Sequence, residues 1–556
     1  MTWGVVVLVA LVAKPPPDPR QDLLDAMVEE LSRSQQKLKM GDSPPPYFIS
    51  YQVKDYDTAE ISGNYGAIFR DATFRDRRIS VDVRVGSYAY DSSVGDDLDF
   101  NFSLKGSSYV TRKAAPLDDF GPALKQALWL ATDEKYKSAL FNFLKKKGED
   151  VYTVEDPKRP PSFSKEAPQV FLGPKVQLTF ARERWLKLVR ELSAAVNKNP
   201  VVFDSEVKVT ADKVTRLLVS TEGTRVVTEN ALYGVHVTAI TRAEDGQLLD
   251  QSRDWYAPTE AQLPSDEVIR ATSARMIEEL LALRAAPAID PYTGPAILAP
   301  EAAGVLFHET VGHRLEGERQ DNDTEGKTFR GQVGKPVLPG FLSVYDDPTA
   351  EKRDGLALNG YYQFDEEGVK AQRVTMVQDG VLRSYLLSRK PVEGFIQSNG
   401  HGRSQGNRKP VARMANLIVE SKKSVSDEEL KKMLITEARR QNKPYGLIIR
   451  DITGGNTNTS TFGYQAFKGV PRMVYRVDVR DGKESLVRGV EIVGTPLSSI
   501  NKVMATGPKH GVFNGFCGAE SGMVPVSTVS PSVLLQEIEL QRATEGKDRP
   551  PLLPKP

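Results

Sequence analysis

Two histidines five residues apart, His308 and His313 in LFHETVGHRLEGE, make the tightest local demand on how this 556-residue chain folds. With Glu309 directly after the first ring, the segment offers two imidazoles and a carboxylate. Those are the groups with which a hydrolytic zinc site holds its ion and takes a proton from water. The interval is one residue longer than in H-E-x-x-H, the spacing that puts both rings on one face of a helix. At 3.6 residues per turn, positions five apart point roughly 140° apart around the axis. Both rings reach one ion only if the helix widens locally into a π-type turn, a distortion found mostly at functional sites. Gly312 lies inside the interval and, having no Cβ, is expected to ease that distortion.

Two imidazoles do not complete such a centre, because a catalytic zinc takes three protein ligands and leaves a fourth position open. The third can be His, Cys, Asp or Glu and can be remote in sequence. The chain has a single cysteine, Cys517, in GFCGAE, so no internal disulfide is possible. Its flanking glycines let the backbone come close to a metal, whereas the plainer reading is a small buried apolar residue. His510, seven residues earlier, is the substitute third ligand. Glu316 and Glu318 also follow His308 closely; Glu309 takes the catalytic role by adjacency, and Glu316 is expected to orient His313.

Further blocks follow in order: FRGQVGKPVL, DEEGVKAQRVTMVQDGVLRSYLL and GFCGAESGMVPVSTVSPSVLLQEIEL. Together with HETVGHRLEGE they resemble the TldD branch of the TldD/PmbA peptidases, from about Ala288 to about Leu540. The preceding part of the chain resembles that family's N-terminal domain more loosely. The resemblance implies His308, His313 and Cys517 as ligands of one zinc ion and Glu309 as the catalytic residue. It also implies a peptide substrate, unfolded or partly degraded, bound as an extended strand. Assembly would be a homodimer or a heterodimer with a PmbA/TldE-like subunit. The PmbA-like branch lacks the metal-binding set, which this chain keeps whole.

Composition excludes other classes. Seventy-four basic against 73 acidic residues leave a formal charge of +1, which argues against a nucleic-acid groove or an anionic-lipid surface. No run reaches the roughly 18 apolar residues that span a bilayer. Trp3 to Ala13 has the length of a signal-peptide core and is broken by KPPPDPR, without the usual basic residues before it. Export to the periplasm is the favoured expectation, with a buried N-terminal strand and a cytoplasmic location as alternatives.

The length points to two domains. Helical periodicity predicts helices over Asp22–Met40, Phe120–Lys147, Arg182–Val196 and Ser265–Leu283, the last opening on a capping serine and acidic residues. Alternation predicts strands at Ile79–Val85, Leu217–Ser220 and Val235–Ile240, and later at Leu447–Ile452 and Tyr475–Val479. Asp379-Gly380 and Asp481-Gly482 are hairpin turns. The proline-rich RAAPAIDPYTGP puts a boundary near residue 290. The expected class is therefore α+β. An N-terminal mixed α/β domain (21–287) follows a possible signal segment (1–20). A mostly antiparallel β domain carrying the zinc-binding helix (288–545) precedes a proline-rich tail (546–556).

Other residues have plainer readings. His236 in a strand is a satisfied imidazole. His401 and Arg403, in NGHGRSQGNRK, read as a solvated loop, with Arg403 as the group that could hold a substrate carboxylate. The stretch with Gly454 and Gly455 lines a cleft or is a surface loop. Two rival functions stand beside metal-dependent peptide hydrolysis. One is a non-catalytic partner subunit. The other is a thiol hydrolase with Cys517 as nucleophile and His510 or His401 as base.

Overall fold

A computed structural model describes residues 18–93, 115–152, 158–321, 327–457, 467–494 and 500–543. The apolar segment at 3–13, the tail from 546 and the end of the TGGNTNTSTFG stretch lie outside the described residues. The fold is α+β, built on two sheets.

The first sheet is long and almost wholly antiparallel. Strands Ala67–Val85, Pro46–Asn64, Val202–Ser220 and Arg225–Arg242 lie in that order. Leu248–Ala257 and the short parallel strand Val170–Leu172 pair with different ends of the last of them. Alternation sorts the side chains: Tyr51, Val53, Ala59, Ile61, Val207, Val209, Leu217 and Val219 share one buried face. All four N-terminal helices cover it. Helices α1 (Pro19–Lys37) and α2 (Gly121–Asp150) pack on one end of that face. Helices α3 (Arg182–Asn197) and α4 (Asp266–Ala285) pack on the other. Ser265 caps α4 by accepting from the Val268 amide, as its sequence predicts. Near the end of α2, Lys146 donates to the carbonyls of Asp91 and Ser93 and ties the helix to the turn after Val85.

The opposite face is polar and meets the second half of the chain. Gln52 donates to the Glu366 carbonyl (2.9 Å), Lys54 to that of Ser404 (2.9 Å) and Arg216 to that of Phe364 (2.5 Å).

In the second sheet, strands Tyr292–Leu298, Tyr445–Thr457, Phe467–Asp478, Val490–Gly494 and Gly522–Arg542 pair in sequence. The last returns to pair with the first, closing a ring. From Gly522–Arg542 the sheet also extends through Asn416–Ser421, Leu342–Asp346 and Val374–Gln378. The turn at Asp379-Gly380 has positive φ at both residues (51° and 78°), the conformation of a two-residue hairpin. Helix α5 (Pro300–Phe307) is buried from Ala302 to Phe307 against the strands, with the methyl of Thr528 packed over Gly304. Helix α6 (Asp427–Arg440) covers the outside of the ring through Leu430 and Leu434, against Ile297, Val477 and Leu534.

Candidate metal centre

The long interval between the histidines is accommodated by the distortion their spacing demands. Helix α5 widens at its end into a π-turn, His308–Gly312, and tightens at once into a 3₁₀ turn, His313–Leu315. Every residue from His308 to Leu315 is buried. The expectation for Gly312 needs correcting. Its φ of −55° and ψ of −60° are helical and open to any residue. The constraint there is space: a Cβ would lie 2.0 Å from Met414 Sδ, so that side chain would have to move.

Cys517 arrives from the hairpin of Val503–Ala519 and Gly522–Arg542, where it faces Val524. Its Sγ lies 3.2 Å from His308 Nε2 and 3.3 Å from His313 Nε2. The two rings stand edge to face, 4.9 Å between centroids. All three donor atoms fall within 4.8 Å of one another. Tetrahedral zinc bonds of about 2.0–2.3 Å place donor atoms roughly 3.3–3.8 Å apart, so the sulfur–nitrogen distances suit one ion, and the two imidazoles would close toward each other to share it. Two imidazoles and one thiolate suit a borderline-soft divalent ion.

The electrostatics favour the ligand form of the sulfur. Burial alone would raise the Cys517 thiol, but the His313 and His308 imidazoles outweigh it and hold the group well below the usual thiol range. Burial would likewise lower His313, and the facing Cys517 and Glu316 raise it well above the ordinary imidazole value. Glu316, fully buried, is held far below the usual carboxylate range by His313 and Arg319 against the cost of burial.

A layer of hydrogen bonds fixes these groups. Glu316 Oε2 lies 3.2 Å from His313 Nδ1, which leaves Nε2 aimed at the sulfur, as the sequence suggests for Glu316. Arg319 donates to the same oxygen at 2.7 Å. Sequence reasoning passed over Arg413. Its guanidinium is fully buried and donates to the Cys517 carbonyl at 2.7 Å and to Ser521 Oγ at 2.9 Å. Its Nε lies 3.4 Å from Glu316 Oε1. An arginine inside the apolar run VARMANLIV was the available signal. Arg314 was also missed; it donates to the Glu309 carbonyl (2.6 Å) and to Thr457 Oγ1 (3.0 Å), tying the Gly454–Gly455 strand to the π-turn. Glu309 is 7% exposed, and no described side chain hydrogen-bonds or ion-pairs with its carboxylate.

The remaining candidates lie outside this cluster. His510 is on the same strand as Cys517 but does not join the donor group. His236 bonds Asp254 at 2.7 Å, as a satisfied imidazole would. The segment at His401 and Arg403 is not a solvated loop. His401 is fully buried against Asp346 (3.2 Å), and Arg403 donates to the Met414 (2.5 Å) and Pro525 (2.8 Å) carbonyls. Those bonds occupy its fork and leave it poorly placed to take a substrate carboxylate.

Comparison with known proteins agrees with the geometry. The sequence model of the PmbA/TldA metallopeptidase C-terminal domain matches residues 291–542. A metalloprotease of Archaeoglobus fulgidus is 32% identical over 263 residues, which is 47% of this chain and 55% of that protein. A zinc metalloprotease TldD homolog of Saccharolobus solfataricus is 26% identical over 248 residues, 44% of this chain and 51% of that one. The matched region thus spans about half the length of these curated relatives. In fold, the chain is similar to TldE from Thermococcus kodakarensis (TM-score 0.62, 14% identity, 93% of this chain and 100% of that chain). It is equally similar to a putative modulator of a DNA gyrase from Thermotoga maritima (TM-score 0.61, 16% identity, 93% and 99%). A buried two-histidine, one-cysteine centre on a closed, sheet-rich scaffold defines a class of candidate metallohydrolase. The part of the chain that carries this centre is the part that matches the PmbA/TldA metallopeptidase C-terminal domain.

Proposed function

We propose that the protein is a zinc metallopeptidase in which His308, His313 and Cys517 hold the ion and Glu309 is the general base. The convergence of the His308, His313 and Cys517 donor atoms within 4.8 Å, beside the turn that carries Glu309, is the observation behind this reading. Zinc at such a donor set supplies Lewis acidity, acidifying water and polarising an amide carbonyl. Glu309 takes the proton of the attacking water and returns it to the leaving amine. Glu316 and Arg319 hold the His313 ring, and Arg413 holds the hairpin that brings Cys517. The substrate is an unfolded or partly degraded peptide bound as an extended strand. Among the described residues, Val503–Ala519 pairs along its length only with Gly522–Arg542, apart from one bridge of Thr506 to Ser424. A free edge beside a ligand supports strand addition, in which main-chain bonds supply affinity with little sequence preference. The same reading places a domain boundary near residue 290 and pairs the chain with a second copy or with a PmbA/TldE-like subunit.

A second reading rests on the same atoms. Cys517, His313 and Glu316 form a chain of contacts at 3.3 and 3.2 Å, the arrangement of an activated thiol with an oriented base. His313 then takes the role that sequence reasoning gave to His510 or His401. Metal content and turnover separate the two. The metallopeptidase binds about one zinc per chain and loses peptidase activity on chelation. Glu309→Gln keeps its metal and loses roughly 10²-fold or more in turnover, the scale of a lost general base. Cys517→Ser loses the metal itself. Activity that survives in metal-free protein overturns the reading in favour of the thiol.

A further inference from the structure

Strand Ala67–Val85 is the outer edge of the N-terminal sheet, bonded to Pro46–Asn64 on one side only. From Arg77 onward that edge is covered. The Ala115 amide donates to the Arg77 carbonyl, and the Arg77 side chain donates to the carbonyls of Pro116 and Asp118. Before Arg77 no described strand covers it. Residues 67–76 are half-buried or exposed on both faces, including Phe69 (69% exposed) and Phe74 (47%). A long edge with open main-chain groups is a template for another strand, and proteins blunt such edges with charged side chains, lysine above all, with proline or with bulges.

This edge carries charge of a different kind. Its sequence is Phe69-Arg70-Asp71-Ala72-Thr73-Phe74-Arg75-Asp76. Turned antiparallel to itself about Thr73, it sets Asp71 opposite Arg75 and Arg70 opposite Asp76, each pair twice by symmetry. Ala72 then meets Phe74, and Thr73 meets its own copy. Opposite charges, an aromatic beside a small residue, and paired threonines are favourable cross-strand neighbours. A shift of one residue would oppose side chains of opposite faces and is excluded; the next registers set Arg70 against Phe74 and Asp71 against Thr73 (axis at Ala72), or Arg70 against Arg78 (axis at Phe74). The charge pattern therefore selects one partner and one register.

We propose that residues 70–76 pair with the same residues of a second copy of this chain, joining two N-terminal sheets into one continuous sheet across a two-fold axis at Thr73. The contact is isologous, so it closes as a dimer and does not propagate. Arg75 already bonds Asp55, and Asp71 bonds Arg182, so in the dimer these pairs become larger networks spanning both chains. The surface bears on the pairing of two chains proposed above and is independent of the chemistry at the metal.

Arg70 and Asp76 suit the test, being the more solvent-facing pair (side chains 53% and 37% exposed). Sedimentation of the full-length protein should show a dimer. Arg70→Asp and Asp76→Arg each bring like charges together twice and should weaken it about tenfold or more. The double variant Arg70→Asp/Asp76→Arg restores complementarity and should restore the dimer. Thr73→Cys provides a separate check: Cys517, the native cysteine, is buried, so oxidation should yield a covalent dimer through residue 73. Phe69→Cys, far from its own copy in this register, should give none. A monomeric wild type overturns both the pairing and the surface. A wild-type dimer that resists the single swaps, or that Thr73→Cys fails to cross-link, overturns the surface and leaves the pairing standing. Neither outcome touches zinc content or turnover.

Discussion

Gly312→Ala tests whether space or flexibility explains the glycine in the turn between His308 and His313, because the two accounts predict opposite signs. The backbone at Gly312 is helical, where alanine is favoured over glycine by about 1 kcal/mol. Against that gain, the new Cβ would fall 2.0 Å from Met414 Sδ, 3.0 Å from Cε and 3.4 Å from Cγ. Met414 is 1% exposed, and its carbonyl is held by Arg403, so its sulfur must move through a packed interior. Overpacking of this kind costs about 1–3 kcal/mol, and a 2.0 Å approach belongs at the upper end. The net expectation is a loss of about 1–2 kcal/mol. Met414→Ala by itself should cost about 2–5 kcal/mol through the cavity it leaves. In that background Gly312→Ala meets no clash, so only the helical gain remains and the sign reverses. Urea unfolding of the four metal-free proteins measures the cycle, with a coupling of about 2–3 kcal/mol expected between neighbours that share this space. Equal stability of Gly312→Ala and wild type, or simple additivity in the double variant, would show that Met414 yields freely and refute the argument.

Arg413→Met removes the donors that serve the Cys517 carbonyl and Glu316. It should lower metal-free stability by about 3–5 kcal/mol, as breaking a buried ion pair does, and weaken zinc binding at least tenfold in a chelator competition. Stability lost with zinc affinity intact would reduce Arg413 to scaffold. The buried carboxyls of Asp365 and Glu367 give a pH signature. Burial raises both, Asp365 to about 6 and Glu367 to about 8, and the neighbouring carboxylates add to it, Glu366 at Asp365 and Asp365 at Glu367. An acid raised in the folded state stabilises it below the unfolded value near 4.5, and that stability is lost as pH rises toward 8. Unfolding midpoints should therefore fall between pH 5 and 8 for wild type and fall less for Glu367→Gln. Parallel curves would show that the pair is not protonated in the fold.

What the sequence revealed and what it hid divide along a physical line. The π-turn was legible because a reading that puts His308 and His313 on one ion requires it: only a widened helix brings positions five apart together. Helices α1 to α4 were legible within a few residues because runs of four turns or more repeat their apolar positions at the helical period, and Ser265 caps the last of them. The closed ring was not. It depends on Tyr292–Leu298 meeting strands that begin 150 and 230 residues later, one of them parallel, and alternation within a strand names no partner. Arg413 and Arg403 were hidden for the same reason. Their partners are main-chain carbonyls and a carboxylate supplied by other elements, so the pattern around each arginine says only that it is buried.

The centre itself joins two kinds of rigidity. His308, Glu309 and His313 belong to a helix end with no exposed residue from Ala302 to Leu315, so their spacing is set by packing that a metal does not have to create. Cys517 belongs to a hairpin whose outer strand pairs along its length with no third strand among the described residues, and its position relative to the helix depends on the Arg413 contacts to Cys517, Ser521 and Glu316. Removing the ion would therefore relax the two sides unequally, with the imidazoles staying near their places and the thiol arm freer to shift. A peptide entering along the free edge of Val503–Ala519 would bond to the same arm. Substrate and metal would then stabilise one hairpin from two directions, which gives a physical reason for placing the single cysteine there.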